Sequence, residues 1–182
     1  MSGTVGLFRP DIEKLYRERD FPRLIHWATY EKDPESSGRA LAALRQDVNG
    51  AVEYLYETAE WAQANSVGRR KRLPTRAVSL LNEAVRGFTT IGPPAVGPLV
   101  DSVRLYPEYG SPDDDAKFLY FALVYDILER IGLPAVDGLR ELARSRDKGV
   151  SAPAKEALSH LVSRGLSDDD MQPGGTRKRR GR

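Results

Sequence analysis

The chain contains no cysteine and only two histidines among its 182 residues. The lack of cysteine excludes disulfides, thiolate metal sites and cysteine nucleophiles, and it permits a reducing compartment. Long apolar runs are also missing, since the longest, from Phe118 to Tyr125, is far short of the roughly 20 residues that span a bilayer. The chain begins without the basic segment and long apolar stretch of a secretory signal. These absences predict a soluble protein of the cytoplasm.

Sequence signatures of catalytic and nucleotide-binding sites are absent as well. The chain has no G-x-S-x-G motif, no Walker-type loop and no dinucleotide fingerprint. His26 and His160 lack a second ligand at metal-binding spacing, so each is interpreted as an ordinary helix-face residue. The prolines in the glycine-bearing segment 92–97 remove backbone donors that a phosphate requires. We therefore expect a protein that is not an enzyme and that uses no metal or cofactor.

The sequence does contain strong helical periodicity. Between residues 77 and 91, apolar residues fall at offsets 0, 3, 4, 7, 8, 11 and 14, which line one face of an α-helix. Gly92 ends this helix, and Pro93 and Pro94 suit the first turn of the next one, where a missing backbone N–H costs nothing. Residues 96–103 supply the apolar face of this second helix. The pattern predicts two helices joined by a tight corner.

This pattern occurs a second time, forty residues later. The segment TTIGPPAVGPLVDSV at 89–103 and the segment ERIGLPAVDGLREL at 129–142 share the skeleton I-G-x-P-A-V-x-x-L. Weaker copies of the first helix follow Asp33 and Asp147. The repetition predicts helical hairpins and no strands. We place the helices near residues 10–18, 21–31, 35–47, 50–64, 75–91, 94–106, 112–131, 134–145 and 150–164.

A helical hairpin that recurs about every forty residues is typical of helical solenoids. The chain resembles a short HEAT-repeat protein, and the segment ILERIGLPAVDGLREL, residues 127–142, matches that pattern best. The resemblance covers residues 10–165 and implies one all-α solenoid of the HEAT or armadillo kind, with about three to four stacked antiparallel hairpins. We expect a flexible N-terminus at residues 1–9 and a disordered basic tail at residues 166–182.

The resemblance implies a non-enzymatic scaffold or adaptor that binds a partner protein through the solenoid surface. One candidate contact is the acidic stripe formed by Glu53, Glu57 and Glu60 on one face of the helix at 50–64. We interpret this stripe first as a solvated surface that could engage the basic run after it. As an alternative, it could recognise a basic partner peptide, because second helices usually line the concave surface of HEAT-like proteins.

A second candidate contact lies in the apolar segment FLYFALVY, residues 118–125. Apolar residues all round a helix normally indicate burial on several sides, so core packing is the first interpretation. The alternative is an exposed patch for a partner protein or for self-association, formed by Phe118, Leu119, Ala122 and Leu123. The sequence leaves the oligomeric state open.

Two basic clusters support a different hypothesis, association with nucleic acid. The clusters are Arg69, Arg70, Lys71 and Arg72 in a loop, and Arg177, Lys178, Arg179 and Arg180 in the tail. Clustered positive charge binds phosphate backbones by releasing counterions. Because no aromatic residues are interleaved, a solubilising loop and tail are the first interpretation. A third alternative is an enzyme related to the HEAT-like proteins that attach bilin pigments or modify bases, for which the sequence offers only the shared repeat.

Overall fold

The computed structural model describes most of the chain, namely residues 10–67, 72–106 and 114–165. Across these ranges the regular structure comprises nine α-helices, two single-turn 3₁₀ helices and one isolated backbone bridge, with no strand. The all-α prediction is therefore confirmed. Within the same ranges, no helix is both long enough and apolar enough to cross a membrane. The expected flexible N-terminus at 1–9 and the expected disordered tail at 166–182 lie outside the described residues.

The helix positions agree closely with those predicted from the sequence, and each end differs by no more than three residues. The helices are α1 (Ile12–Arg17), α2 (Phe21–Ala28), α3 (Pro34–Gln46), α4 (Val48–Ala64), α5 (Thr75–Ile91), α6 (Val96–Arg104), α7 (Asp114–Ile131), α8 (Val136–Ala143) and α9 (Lys148–Ser163). The 3₁₀ turns Pro93–Ala95 and Leu133–Ala135 lead into α6 and α8. Hydrophobic periodicity thus locates every described helix.

Aspartate side chains begin five of the helices. In each case a carboxylate at the N-cap accepts a hydrogen bond from a backbone N–H of the first turn, at distances from 2.7 to 3.2 Å. Such a cap satisfies a donor that has no partner within the helix, and the negative charge suits the helix dipole. These caps of α1, α2, α3, α4 and α9 are Asp11, Asp20, Asp33, Asp47 and Asp147.

The two predicted corners have the same backbone conformation. Gly92 has a φ of 74° and Gly132 a φ of 80°, a region that residues with a Cβ rarely adopt. Each glycine ends its helix and its carbonyl accepts the N–H of the alanine three residues on, at 2.9 and 2.8 Å. At the first corner, Arg45 of α3 donates Nε and Nη2 to the Ile91 carbonyl, at 3.3 and 3.2 Å. The repeated sequence therefore encodes a repeated turn.

Helix packing follows a different pairing from the one that the sequence indicated. The close approaches of the helices occur within the successive pairs α2–α3, α4–α5, α6–α7 and α8–α9, or between neighbouring pairs, while α1 packs on α2 and α3. The prediction that the helices on either side of a corner form one packed hairpin is wrong for both corners, because neither α5 with α6 nor α7 with α8 makes a close approach. Helices α5 and α6 both pack against α4 and α7 instead. The corner at Gly92 thus connects two successive pairs.

A continuous apolar core joins all of these pairs. It extends from Ile12 of α1 to Leu161 of α9 and contains side chains from every described α-helix. A smaller cluster of Ala62, Ala77 and Leu81 lies where α4 and α5 meet. Helices α4 and α7 contact each other and helices of the neighbouring pairs, so both contribute to this core.

Candidate functional site

A groove between α4 and α6 contains a partly open cavity of about 480 Å³. One wall comes from α4 and its N-cap, the other from α6 and the residues that follow it, and α7 contributes one buried tyrosine. We call this surface the α4–α6 groove. Charged side chains, three tyrosines, a leucine and a serine line it. They are Arg19, Asp47, Glu53, Asp101, Tyr56, Tyr106, Tyr120, Leu105 and Ser102.

Three tyrosines form the aromatic part of the groove. The ring centroid of Tyr56 lies 5.7 Å from that of Tyr106 and 5.4 Å from that of Tyr120, in edge-to-face contact. Tyr106 and Tyr120 stack at 6.0 Å. Both of these are almost completely buried, whereas Tyr56 is half-buried. Since the rings already touch one another, a ligand can reach the cluster only from its outer side, where Tyr56 is accessible.

The tyrosine hydroxyls differ in their hydrogen bonding. Tyr120 donates to Ser102 Oγ at 2.6 Å, and Tyr56 donates to Glu60 Oε1 at 2.6 Å. The Tyr106 hydroxyl is the one buried side-chain polar atom in the described ranges that lacks a hydrogen-bond partner. Burial raises the pKa of Tyr106 and of Tyr120 well above the ordinary value of 10. These hydroxyls therefore keep their protons at neutral pH and act as hydrogen-bond donors.

Charged side chains occupy the other end of the groove. Arg19 Nη2 lies 3.2 Å from Glu53 Oε2 and 3.8 Å from Asp47 Oδ2. Asp47 also caps α4 by accepting the Gly50 N–H at 2.9 Å. Asp101, on the opposite wall, lies 3.5 Å from Arg104. The groove lining thus carries one guanidinium and three carboxylates, a net charge of −2 at neutral pH.

The backbone of Arg19 positions its side chain in this groove. Its φ of 53° makes it the one non-glycine residue in the left-handed region within the described ranges. Such a conformation costs of the order of 1 kcal/mol for a residue with a Cβ. It forms the turn between α1 and α2, and the guanidinium lies 5.5 Å from the centre of the Phe21 ring. The turn therefore places the Arg19 guanidinium near Asp47, the N-cap of α4.

The acidic stripe predicted from the sequence divides into three environments. Glu53 lies in the α4–α6 groove beside Arg19. Glu57 is exposed and does not line the groove, and Glu60 is half-buried and accepts the hydrogen bond from Tyr56. Only Glu53 among the three therefore faces the cavity.

The apolar patch predicted within α7 is also divided. Phe118 is 63% exposed and borders a second cavity, of about 560 Å³, between α7 and α9. Leu119 and Leu123 instead pack against the small cluster at Ala62, Ala77 and Leu81. Tyr120, Phe121, Val124 and Tyr125 are buried in the main core. Core packing thus accounts for most of the segment, and Phe118 with Ala122 remains at the surface.

Most of the predicted nucleic-acid contacts lie outside the described residues. These are Arg69, Arg70, Lys71, Arg177, Lys178, Arg179 and Arg180. Arg72 is described and exposed, and its backbone forms an antiparallel bridge with Val67 through hydrogen bonds of 3.0 and 2.9 Å. The bridge brings together the two ends of the loop that carries the first basic cluster.

The two histidines have acidic partners that the sequence did not reveal. His26 Nδ1 lies 2.8 Å from Glu83 Oε1 of α5, and His160 Nδ1 lies 3.1 Å from Glu129 Oε2 of α7. Glu129 also pairs with Arg164, at 2.7 Å. These partners are too distant in sequence to be found by spacing. No cluster of three or more potential metal ligands occurs among the described residues, and the histidines remain helix-face residues that pair with carboxylates of neighbouring helices.

Sequence reasoning missed most of the groove. Arg19, Asp101, Ser102 and Tyr106 belong to no motif, and they come from two separate parts of the chain. Glu53 is the one groove residue that was singled out, because it shares a helix face with two other glutamates. The positive φ of Arg19 has no signal in the sequence, since glycine or asparagine is the usual residue for that conformation.

Comparison with models of known protein families, with curated proteins and with solved structures finds no match to this chain.

Proposed function

We propose that this chain is a short HEAT-like α-solenoid that acts as a non-enzymatic scaffold or adaptor for another protein. The helix packing supports this architecture, because close approaches occur within helix pairs or between neighbouring pairs, as expected for stacked repeats. The matching corners at Gly92 and Gly132 support a repeated unit. The groove supports the binding role.

The observation that carries the proposal is the composition of the α4–α6 groove. Its cavity combines three tyrosines, exposed Leu105 and several charged groups between two helical walls. Tyrosine is enriched in protein-binding surfaces because it buries a large rigid area and retains a polar group. An open groove of this kind accommodates an extended segment of a partner, which we propose as its ligand.

The polar groups of the groove favour binding over catalysis. Ser102 Oγ donates to the Leu99 carbonyl at 2.7 Å and accepts from Tyr120, so its proton is held by the backbone rather than by a general base. The raised pKa values of Tyr106 and Tyr120 make these side chains poor bases at neutral pH. His26 and His160 do not line the groove. The side chains described there are suited to hydrogen bonding and apolar contact.

A peptide selection tests this function. The full chain is used to select binders from a random-peptide phage library, and affinities are measured by fluorescence anisotropy with synthetic peptides. Leu105→Ser should weaken the selected peptides about three- to sevenfold, because Leu105 is 38% exposed and burying that part of a leucine contributes roughly 0.6–1.1 kcal/mol. Leu133→Ser is the matched control, since Leu133 is 41% exposed, close to the 38% of Leu105, and lies outside the groove. Failure to select peptides, or equal effects of both substitutions, would contradict the proposal.

Nucleic-acid association through the basic loop and tail remains the alternative hypothesis. It is tested by anisotropy with a labelled duplex and a labelled single strand, each at two salt concentrations. If this hypothesis is correct, binding weakens steeply with salt and falls when residues 167–182 are removed. Binding that is absent or insensitive to salt would eliminate it.

A further inference from the structure

The α4–α6 groove has a charge opposite to that of the chain. Its lining carries a net charge of −2, whereas the whole chain has a formal net charge of +2 at neutral pH. Arg104, which lies 3.5 Å from Asp101, reduces this excess to −1. A cleft with an excess of negative charge still favours cations, because its protein walls have a low dielectric constant.

Two of its carboxylates are exposed, and one of them, Glu53, already pairs with Arg19. The side chains of Glu53 and Asp101 are 63% and 59% exposed, and they lie on opposite walls. The ion pair between Asp101 and Arg104 is long, at 3.5 Å, because Arg104 makes its shorter contact, at 2.6 Å, with Glu141. An incoming cation can therefore pair with Asp101 without removing the main partner of Arg104.

The aromatic cluster beside these carboxylates already contacts one cation. Lys117 Nζ lies 5.6 Å from the ring centre of Tyr106 and 5.4 Å from that of Phe121. Aromatic faces attract cations through the ring quadrupole, and a planar guanidinium also stacks on them. Tyr56 is the accessible ring of the cluster and is a wall of the same cavity as Glu53 and Asp101.

The hydroxyl of Tyr106 is not accessible to a ligand. Tyr106 is only 4% exposed, and its hydroxyl is fully buried. Tyr56 lies close enough to interact with this hydroxyl, so the absence of a well-formed hydrogen bond there is no sign of a ligand. A ligand therefore contacts the cluster at the half-buried ring of Tyr56.

We propose that the α4–α6 groove recognises an arginine side chain in a peptide segment of the partner protein. The guanidinium stacks on Tyr56, shares Glu53 with Arg19 and pairs with Asp101. Arginine fits this arrangement better than lysine, because its planar group stacks on a ring and binds carboxylates through two N–H groups. The inference rests on the proposed function, since it names the group that the peptide groove binds.

Matched peptide pools test the inference on the full chain. One pool has arginine at the centre of six randomised positions, and the other has citrulline, which is neutral and nearly the same shape. We expect the arginine pool to bind at least tenfold more tightly at low salt, and the difference to shrink as salt rises. The double substitution Glu53→Gln with Asp101→Asn should reduce the preference for the arginine pool over the citrulline pool to between about onefold and threefold.

A control variant removes the same charge from outside the groove. Glu57→Gln with Asp137→Asn changes two exposed carboxylates that do not line the cavity, and it should leave the ratio unchanged. Thermal unfolding of both double variants checks that each is folded, as expected for exposed positions. If the control lowers the ratio as much as the groove variant, general electrostatics rather than this site selects arginine, and the inference is wrong.

The two proposals fail in different ways. If both pools bind equally and Leu105→Ser still weakens binding, the groove binds peptides but does not select arginine. If neither pool binds, or if Leu105→Ser has no effect, the proposed function fails as well. Removal of residues 166–182 distinguishes the source of the arginine. A tenfold gain in affinity after removal would identify the chain's own basic tail as the occupant and overturn the assignment to a partner.

Discussion

Two close helix approaches can be tested with glycine-to-alanine substitutions. A Cβ added at Gly138 of α8 would lie 2.6 Å from Val100 Cγ2 of α6, and one added at Gly87 of α5 would lie 2.6 Å from Ile25 Cγ2 of α2. Both neighbours are β-branched, and their χ1 angles are stiff, so relief requires movement of a helix. Gly38 of α3 lies in open space and provides the contrast.

The expected magnitude combines two opposing terms. Alanine stabilises a helix interior relative to glycine by roughly 0.5–1 kcal/mol, whereas overpacking typically costs about 1–3 kcal/mol. Gly138→Ala should therefore destabilise the protein by about 1–2 kcal/mol, which corresponds to a Tm lower by roughly 2–8 °C. Gly97→Ala, in open space in the first turn of α6, should raise Tm by about 1–4 °C.

Thermal unfolding followed by circular dichroism, with urea titrations for the free energies, provides the measurement. The Gly87 and Gly138 variants should lose stability, and the Gly38 and Gly97 variants should gain it or remain unchanged. Equal or greater stability of Gly138→Ala than of Gly97→Ala would refute the close approach of α6 and α8. It would also refute this part of the helix pairing.

Three further changes test individual hydrogen bonds and ionisations. Tyr125→Phe removes the buried 2.7 Å bond to the Val150 carbonyl and should cost about 1–3 kcal/mol in urea unfolding. Arg45→Met removes the two bonds to the Ile91 carbonyl and should cost about 1 kcal/mol in the same assay, less than Tyr125→Phe because Arg45 is exposed. Burial raises the pKa of Tyr120 and of Tyr125 in the folded state. The unfolded state therefore loses these protons first, and the contribution of the two tyrosines to the free energy of unfolding is complete below pH 10 and is lost above it. Each such tyrosine should lower stability by about 1.4 kcal/mol per pH unit there, and Tyr125→Phe should reduce the slope accordingly.

Local features of the fold could be predicted because their causes are local. The period of apolar residues locates the helices, and a glycine with a proline within the next two residues locates the corners at Gly92 and Gly132. The partners of these helices could not be predicted in the same way. An apolar face requires burial but does not specify which helix buries it, so α5 and α6 were wrongly expected to pack against each other.

The candidate site was predictable only where it follows helical spacing. Glu53 was found because it shares a face with Glu57 and Glu60. Its grouping with Arg19 and Asp101 depends on the packing of α4 beside α6 and on the turn after α1. The same packing separates Phe118 from Leu119, although they are adjacent in sequence, because only Leu119 packs against the α4–α5 cluster.

The sequence by itself determined the all-α class, the nine described helices and the two corners, since backbone hydrogen bonding, capping and steric limits act over a few residues. Only the tertiary structure decided which helices pair, which carboxylates face the groove and which tyrosine hydroxyl is left without a partner among the described residues. These features depend on contacts between residues that are distant along the chain. Such contacts are selected by the fit of whole helix faces, which no short segment specifies.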